Sequence, residues 1–323
     1  MKRLVLGSAL FCIAFLVFSV EPTNAGLLYV GNSNGNNITR FDASGTPTLF
    51  ATTGVKGPQD VAFDRSGNLY ESNYTLNTVG RFAPDGTYLG VFASVGLSGP
   101  SGLAFDSHGN LFISSAGGRT IREVSPSGVD LGVFASGLNA PTGLAFDKSD
   151  NLYVGIYDPN HLGVVREFSH SGTDLGVFAS AGLQTPFSLA FDKSGNLYVG
   201  DLNANAVHRF SPTGGDLGVL TSGTSGDVVG GGIALDSAGN IYVTNYRGFA
   251  GGTDTIRKFS PAGVDLGNFA TTGLNNPTGM VFAPAASAVP EPSSLTLATS
   301  ALLVSLGYRL VRPLRRRVAV ETT

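Results

Sequence analysis

One heptapeptide, DLGVFAS, occurs twice in this chain, at 130–136 and 174–180, and the related YLGVFAS precedes both copies at 88–94. A second run, NLYVG with its variants, contributes one aromatic residue per copy. The six aromatics are Tyr29, Tyr70, Phe112, Tyr153, Tyr198 and Tyr242, separated by 41, 42, 41, 45 and 44 residues. A period in the forties with four short apolar runs per period is typical of β-propeller blades. The repeat therefore predicts an all-β fold.

Each repeat divides into the same four strands. GLAFD is strand one, NLYVG is strand two, a run such as VVREFS is strand three, and DLGVFAS is the outer strand four. Six copies of each predict a six-bladed propeller over residues 26–284. The repeats are offset, because the propeller begins with strand two at Leu27 and ends with strand one at 279–283. We expect this last strand to pair with the first three, which would close the ring without a free edge.

The shared pattern P-x-G-L-A-F-D-x-x-G-N-L-Y-V resembles NHL-type propellers and the gluconolactonase-like and streptogramin-lyase-like six-bladed families. The resemblance covers about residues 26–284. These families include lactonases, lyases, hydrolases and binding modules, so the resemblance implies a fold more specifically than an activity.

Residues 1–25 are typical of a secretory signal peptide. Lys2 and Arg3 precede an apolar run, and Thr23 and Ala25 offer small residues for cleavage. An uncleaved membrane anchor is the alternative. Cys12, the only cysteine, lies in this apolar run, so no disulfide framework is expected.

The other end of the chain resembles the PEP-CTERM sorting signal that exosortases recognise. Residues 285–292 form a linker with the motif VPEP, and residues 293–323 contain a short hydrophobic helix, Leu295–Tyr308, followed by an arginine-rich tail at 315–317. The resemblance implies exosortase-type machinery as a partner, transient inner-membrane association, removal of the tail, and release to the cell surface or the medium. An ordinary tail anchor is the alternative, although the segment is only 14 residues long and is interrupted by Thr and Ser, whereas a comfortable span needs ~20 apolar residues.

Removing both ends makes the remaining chain more acidic. Seven of the 20 basic residues and three of the 23 acidic ones lie in the ends, which leaves 13 basic and 20 acidic residues and a net charge of −7 rather than −3. A chain with this charge and no basic stripe is not expected to bind nucleic acid.

The loops between strands two and three vary most among the repeats, which suggests a binding face. Glu71, Asn73, Asp201 and Asn245 stand near the ends of strand two, where metal-dependent lactonase-like propellers hold a divalent cation, so these four could bind an ion such as Ca²⁺. The alternative is that Asn and Asp support their own turns through backbone hydrogen bonds. Glu71 could also pair with Arg81 or Arg119.

Four further residues are candidate ligand contacts. Asp60 is the only charged residue just before a strand one, where other blades have Gly or Ser, and Tyr74, Tyr157 and Tyr246 occupy alternate blades on the variable face. Tyrosine suits contacts with sugars or peptides, although each ring could instead fold onto its own loop. Asp60 and Glu71 both belong to the second repeat and are expected on segments that line or adjoin the channel, with Asn73 and Asp201 near enough to share a ligand. An unpaired carboxylate there would be costly unless it is solvated, paired or metal-bound.

The strand-one/strand-two turns repeat one aspartate per blade, at 64, 106, 147, 192 and 236, and we expect these to be turn residues. His108 and His170 also fall in turns on the face opposite the variable loops.

Two functions remain open. The first is a secreted or surface-sorted binding module for a polysaccharide, peptide or protein; the second is a metal-dependent lactonase, lyase or hydrolase acting at the channel mouth.

Overall fold

The computed structural model describes residues 26–157, 163–223, 228–246 and 253–284. These residues form six four-stranded antiparallel sheets and include no helix long and apolar enough to cross a membrane. The targeting helices expected at the two ends of the chain, with the VPEP linker, lie outside the described residues.

Twenty-four strands follow one another along the described chain. They are β1 Leu28–Asn32, β2 Asn37–Phe41, β3 Pro47–Ala51, β4 Pro58–Phe63, β5 Leu69–Asn73, β6 Thr78–Phe82, β7 Tyr88–Ala93, β8 Pro100–Phe105, β9 Leu111–Ser115, β10 Thr120–Val124, β11 Asp130–Ser136, β12 Pro141–Phe146, β13 Leu152–Ile156, β14 Val164–Phe168, β15 Asp174–Ala179, β16 Pro186–Phe191, β17 Leu197–Asp201, β18 Ala206–Phe210, β19 Asp216–Ser222, β20 Val228–Leu235, β21 Ile241–Tyr246, β22 Thr255–Phe259, β23 Asp265–Ala270 and β24 Pro277–Phe282.

The sheets are the six predicted blades. Blades 2 to 6 each use four consecutive strands, beginning at β4, β8, β12, β16 and β20, whereas blade 1 has the order β24-β1-β2-β3. Strand β24 pairs antiparallel with β1, with Met280 opposite Val30 and Phe282 opposite Leu28. The predicted closure is therefore confirmed, and the first and last described strands belong to one blade.

The turn between strands one and two is built by its aspartate. In blade 2 the Asp64 Oδ1 accepts hydrogen bonds from the backbone N–H groups of Ser66 and Asn68, at 2.8 and 2.9 Å. Gly67 has a φ of +81°, which is unfavourable for a residue with a Cβ. The expectation that these aspartates are turn residues is confirmed by the same pattern in blades 3 to 6.

The hydrophobic core lies between neighbouring blades. The strand-two aromatic is the centre of each contact; in blade 2 the ring of Tyr70 meets Phe92 and Phe105 edge-on, with centroids 4.7 and 5.0 Å apart. Both partners have equivalents in other blades, for example Phe134 and Phe146 around Phe112. The repeated aromatics are therefore the residues that hold one blade to the next.

Around the central channel the blades approach closely at strand one. A Cβ at Gly143 would overlap the Phe187 carbonyl oxygen of the next blade, so only glycine fits this approach. Hydroxyls bridge the same junctions: Ser72 donates to the Ser101 carbonyl at 2.6 Å, and Ser114 donates to the Thr142 carbonyl at 2.6 Å. The channel wall is thus fixed by backbone contacts and by hydroxyl bridges between blades.

The repeated heptapeptide is the outer strand, as the sequence predicted. In blade 3 its Leu131 and Val133 are exposed, and the glycine between them, Gly132, has a φ of +113°. The register with β10 shifts on either side of this glycine, which is a β-bulge. Bulges twist an edge strand away from further pairing, so the repeated glycine limits edge-to-edge association.

Candidate functional site

The described parts of the variable loops lie at one end of the propeller, because each follows the second strand of its blade. Tyr74, which follows β5, is 50% exposed, and its ring lies against Gly99 in the loop that leads to blade 3. Leu76 in the same turn is 53% exposed. Tyr157 follows β13 and is half-buried, whereas Tyr246 ends β21 and its side chain lies outside the described part. This face, with Tyr74 and Leu76 projecting from it, is called the loop face below.

The polar residues at the ends of strand two bind the loops that enter their own blades. The Asn73 Oδ1 accepts the Lys56 backbone N–H at 2.5 Å, and its Nδ2 donates to the Gly54 carbonyl at 2.9 Å. Asp201 accepts the backbone N–H groups of Gln184 and Thr185 at 2.5 and 2.9 Å, and that of Ala204 at 2.8 Å. Each side chain therefore fixes an inter-blade loop.

The proposed metal ligands come from three different blades. Glu71 and Asn73 belong to β5, Asp201 to β17 and Asn245 to β21. The structure brings Glu71 and Asn73 together within blade 2, whereas the Asp201 carboxylate accepts hydrogen bonds from the loop before its own blade and from Ala204. The Asn245 Oδ1 is buried and has no partner among the described residues. None of the four lines the central cavity.

Glu71 is fully buried, and neither carboxylate oxygen has a hydrogen-bond partner among the described residues. A Cβ on the facing Gly80 would lie 3.4 Å from its Oε2 and 3.4 Å from the Tyr88 ring, so the side chain extends toward the outer strands. Burial raises the pKa of Glu71 well above its ordinary value. The alternative that Glu71 pairs with Arg81 or Arg119 is therefore wrong.

Sequence reasoning missed the residues that accommodate Glu71. Blades 3, 4 and 6 have arginine opposite strand two, paired with the aspartate that opens strand four, as in Arg166–Asp174. Blade 2 replaces this pair with Gly80 and Tyr88, and the space so opened holds the carboxyl group of Glu71. A comparison of strands two, three and four of each repeat together would have revealed that Glu71 appears in the same blade in which the Arg–Asp pair is absent.

The central channel contains a cavity of about 440 Å³ lined by the strand-one segments of all six blades. Its wall consists mainly of apolar side chains and backbone, including Phe63, Leu103 and Ile233. Asp60 is the only charged residue among the described residues that line it. The structure therefore places Asp60 at the channel, as the sequence predicted, whereas Glu71, which was expected beside it, does not line the cavity.

The Asp60 carboxylate bridges two blades. Its Oδ1 accepts the N–H of Val61 at 2.9 Å, and its Oδ2 accepts the N–H of Leu103 in blade 3, also at 2.9 Å. Burial raises the pKa of Asp60 to about 7, and the two backbone hydrogen bonds oppose that rise. Asp60 can thus exist in either protonation state near neutral pH, as a general acid or base must.

The raised pKa of Asp60 predicts a pH-dependent stability. A raised native pKa stabilises the protonated form, so this stabilisation is complete below the unfolded value of 3.8 and is lost as pH rises through about 7. We expect Asp60→Asn to unfold at the same urea concentration as the wild type in acid but at a higher concentration above pH 7. Urea unfolding at a series of pH values measures this difference, and Gln59→Ala is the control. An equal shift at every pH would contradict the assignment.

No protein-family model matches the chain, and no curated protein matches it either. Solved structures do match. A chain from a nidogen/laminin complex is 19% identical with a TM-score of 0.69, and the match covers 80% of this chain and 98% of that one.

Further matching structures carry the names of enzymes. A gluconolactonase from Xanthomonas campestris is 19% identical with a TM-score of 0.59, over 68% of this chain and 80% of that one. Virginiamycin B lyase from Staphylococcus aureus is 11% identical with a TM-score of 0.55, over 80% and 89%. At these identities the similarity establishes a fold, and the chain is accordingly a six-bladed β-propeller with gluconolactonase-like and lyase-like structural neighbours.

Proposed function

We propose that this chain is an exported binding module that contacts a polysaccharide, peptide or protein through its loop face. The observation that carries the proposal is the exposed pair Tyr74 and Leu76, presented on a turn that differs between blades while the scaffold beneath it repeats. The Tyr74 ring rests on Gly99 and is held in place before any ligand arrives. A half-exposed aromatic ring in a fixed position loses little conformational entropy on binding and suits a contact residue.

The polar groups of the loop face support the same function. Asn73 and Asp201 form hydrogen bonds with the backbone of the inter-blade loops, so they keep the loop face rigid. A preorganised surface binds with a smaller entropic cost than loops that must order on contact. The nidogen/laminin neighbour, a propeller recorded in a protein complex, is consistent with this role.

The alternative function is a metal-dependent lactonase, lyase or hydrolase. Two carboxyl groups with raised pKa, those of Asp60 and Glu71, are the observations that favour it, and the gluconolactonase neighbour names one substrate class. The proposed cation, for which Ca²⁺ is the first choice, would have to be held by Glu71, Asn73, Asp201 and Asn245. Of these, only Glu71 and Asn245 have free buried oxygens among the described residues.

A binding and turnover experiment separates the two functions. Tyr74→Ala, Leu76→Ala and the control Leu131→Ala on the outer strand would be tested against immobilised neutral and acidic polysaccharides and gelatin. We expect at least ~10-fold weaker binding for Tyr74→Ala, because a central contact aromatic contributes ~2 kcal/mol or more, and no change for Leu131→Ala. Hydrolysis of glucono-1,5-lactone that requires added Ca²⁺ and is lost in Asp60→Asn would instead establish the enzyme.

Export is part of the proposal and follows from the two ends of the chain. The signal peptide over 1–25 and the sorting segment over 293–323 are expected to direct the propeller across the inner membrane and to the cell surface or beyond. Intact-mass measurement on protein recovered outside the cells should give a chain that lacks the residues after about Pro292. A secreted chain that retains the arginines at 315–317 would contradict an exosortase-type signal.

A further inference from the structure

A group of potential metal ligands lies on the opposite face of the propeller from the loop face. Asp106 and His108 belong to the β8–β9 turn of blade 3, and His170 belongs to the β14–β15 turn of blade 4. One ligand atom of each residue lies within 4.8 Å of the corresponding atoms of the other two. The imidazole rings of His108 and His170 have centroids 5.2 Å apart, and the His108 Nδ1 is 3.8 Å from the Asp106 Oδ2.

The two histidines interrupt the repeat at these turns. Position 108 is Ser or Ala in the equivalent turns, as in Ser66, Ser194 and Ala238. Position 170 is proline in four of the other blades, at 84, 126, 212 and 261, and alanine in blade 1. Two of the four histidines of the chain therefore replace common turn residues in adjacent blades, and the fold brings those two turns together.

A third change leaves the carboxylate of Asp106 available. In blades 2, 4 and 6 the equivalent aspartate Oδ2 accepts a hydrogen bond from the strand-two tyrosine, as Asp64 does from Tyr70 at 3.2 Å. Blade 3 has Phe112 at that position, which has no hydroxyl group. The Asp106 Oδ2 keeps a 3.1 Å hydrogen bond from the Asn110 amide and has lone pairs free for a cation.

The surroundings also change from basic to acidic. The strand-three residue paired with the strand-two aromatic is Arg or Lys in blades 1, 2, 5 and 6, whereas it is Glu123 in blade 3 and Glu167 in blade 4. Asp150 replaces the turn glycine of blade 4 and accepts hydrogen bonds from Ser107. The negative charge around the two imidazoles favours a bound cation.

We propose that Asp106, His108 and His170 bind one Zn²⁺ ion between blades 3 and 4. Imidazole and carboxylate are ordinary zinc ligands, and three protein ligands leave a fourth position open to water or to a carboxylate. Zinc bonds of ~2.0–2.1 Å place tetrahedral ligand atoms ~3.3 Å apart. The ligand atoms, now within 4.8 Å of one another, must therefore come closer before they can bind one ion. Both imidazoles are exposed and can do so by side-chain rotation, while the buried Asp106 stays in place.

The site is independent of the proposed function, because it lies on the other face and uses none of the loop-face residues. It would link two blades across their turns, so the bound ion is expected to raise the melting temperature by mass action. Its chemistry is specific enough to distinguish it from a diffuse acidic surface, since Zn²⁺ should bind far more tightly than Ca²⁺ to a pair of imidazoles.

The test is calorimetric titration of the untagged full-length chain with ZnCl₂ and, separately, CaCl₂. We expect one Zn²⁺ per chain, and at least ~10-fold weaker binding in His108→Ser and in His170→Ala. Both variants restore a residue that another blade already has at that position, so folding is expected to survive. Ser194→Ala, at the position equivalent to His108 in blade 5, is the matched control and should bind Zn²⁺ as the wild type does.

A second readout locates the ion. Histidine side-chain NMR should show Zn²⁺-dependent shifts for the imidazoles of His108 and His170 and none for His208, which is buried in blade 5. Zinc affinity that is unchanged in both His108→Ser and His170→Ala, or the absence of stoichiometric binding to a correctly folded chain, would overturn the proposal.

Discussion

A chain that ends at Asn276, and therefore lacks β24, is expected to lose most of its stability, whereas a chain that ends at Pro284 should unfold like the full-length protein. Strand β24 is the innermost strand of blade 1, although it comes last in the sequence. Its removal exposes the backbone of β1 and the buried Leu28 and Val30. It also removes the Thr278 hydroxyl, which bridges to the Pro58 carbonyl of blade 2 at 2.8 Å.

The expected loss is comparable with the ~5–15 kcal/mol that holds an ordinary domain folded. Burying Met280 alone contributes ~1.5–3 kcal/mol, before the partly buried Phe282 and the hydrogen bonds to β1 are counted. Thermal unfolding followed by circular dichroism measures the effect, with a decrease of more than ~10 °C expected for the shorter chain. Equal melting temperatures for the two truncated chains would show that β24 does not close the ring.

Glu71→Val is expected to stabilise the protein in mildly alkaline buffer by ~1–3 kcal/mol, the usual cost of a buried polar group without a partner. Four other blades have valine at this position, namely Val30, Val154, Val199 and Val243. Burial raises the pKa of Glu71, so the protonated carboxyl is favoured in the folded state. The folded state therefore loses stability as pH rises from the unfolded value of 4.5 through the native pKa. The advantage of the variant should therefore increase with pH.

Glu71→Gln is the matched control, because it keeps the volume and removes the charge. Urea unfolding at several pH values should rank the valine variant above the glutamine variant, and both above the wild type in alkaline buffer. Well below pH 4.5, at about pH 3, the carboxyl is protonated in both the folded and the unfolded state, so the glutamine variant and the wild type should agree. A destabilising Glu71→Val would show that the carboxylate has a partner, such as the cation of the alternative function, that offsets its burial.

The blades, the ring closure and the position of Asp60 could all be predicted from the sequence repeat. The repeat alone predicted the blades, the outer position of DLGVFAS and the pairing of 279–283 with the first strand, because side-chain alternation and turn glycines are local properties of the chain. It also placed Asp60 at the channel, since only strand one can line it. These are consequences of period and register, which a sequence records directly.

Contacts between strands and between blades are what the sequence did not determine. The partnerless burial of Glu71 depends on Gly80 and Tyr88, which lie on two other strands, and the raised pKa of Asp60 depends on its burial against blade 3. His108 and His170 are 62 residues apart in the chain and belong to different turns, yet in the structure the centroids of their imidazole rings are 5.2 Å apart. The packing of one blade against the next determines which turns become neighbours, and burial raises the pKa of Glu71 and of Asp60, so both effects are decided by the tertiary structure.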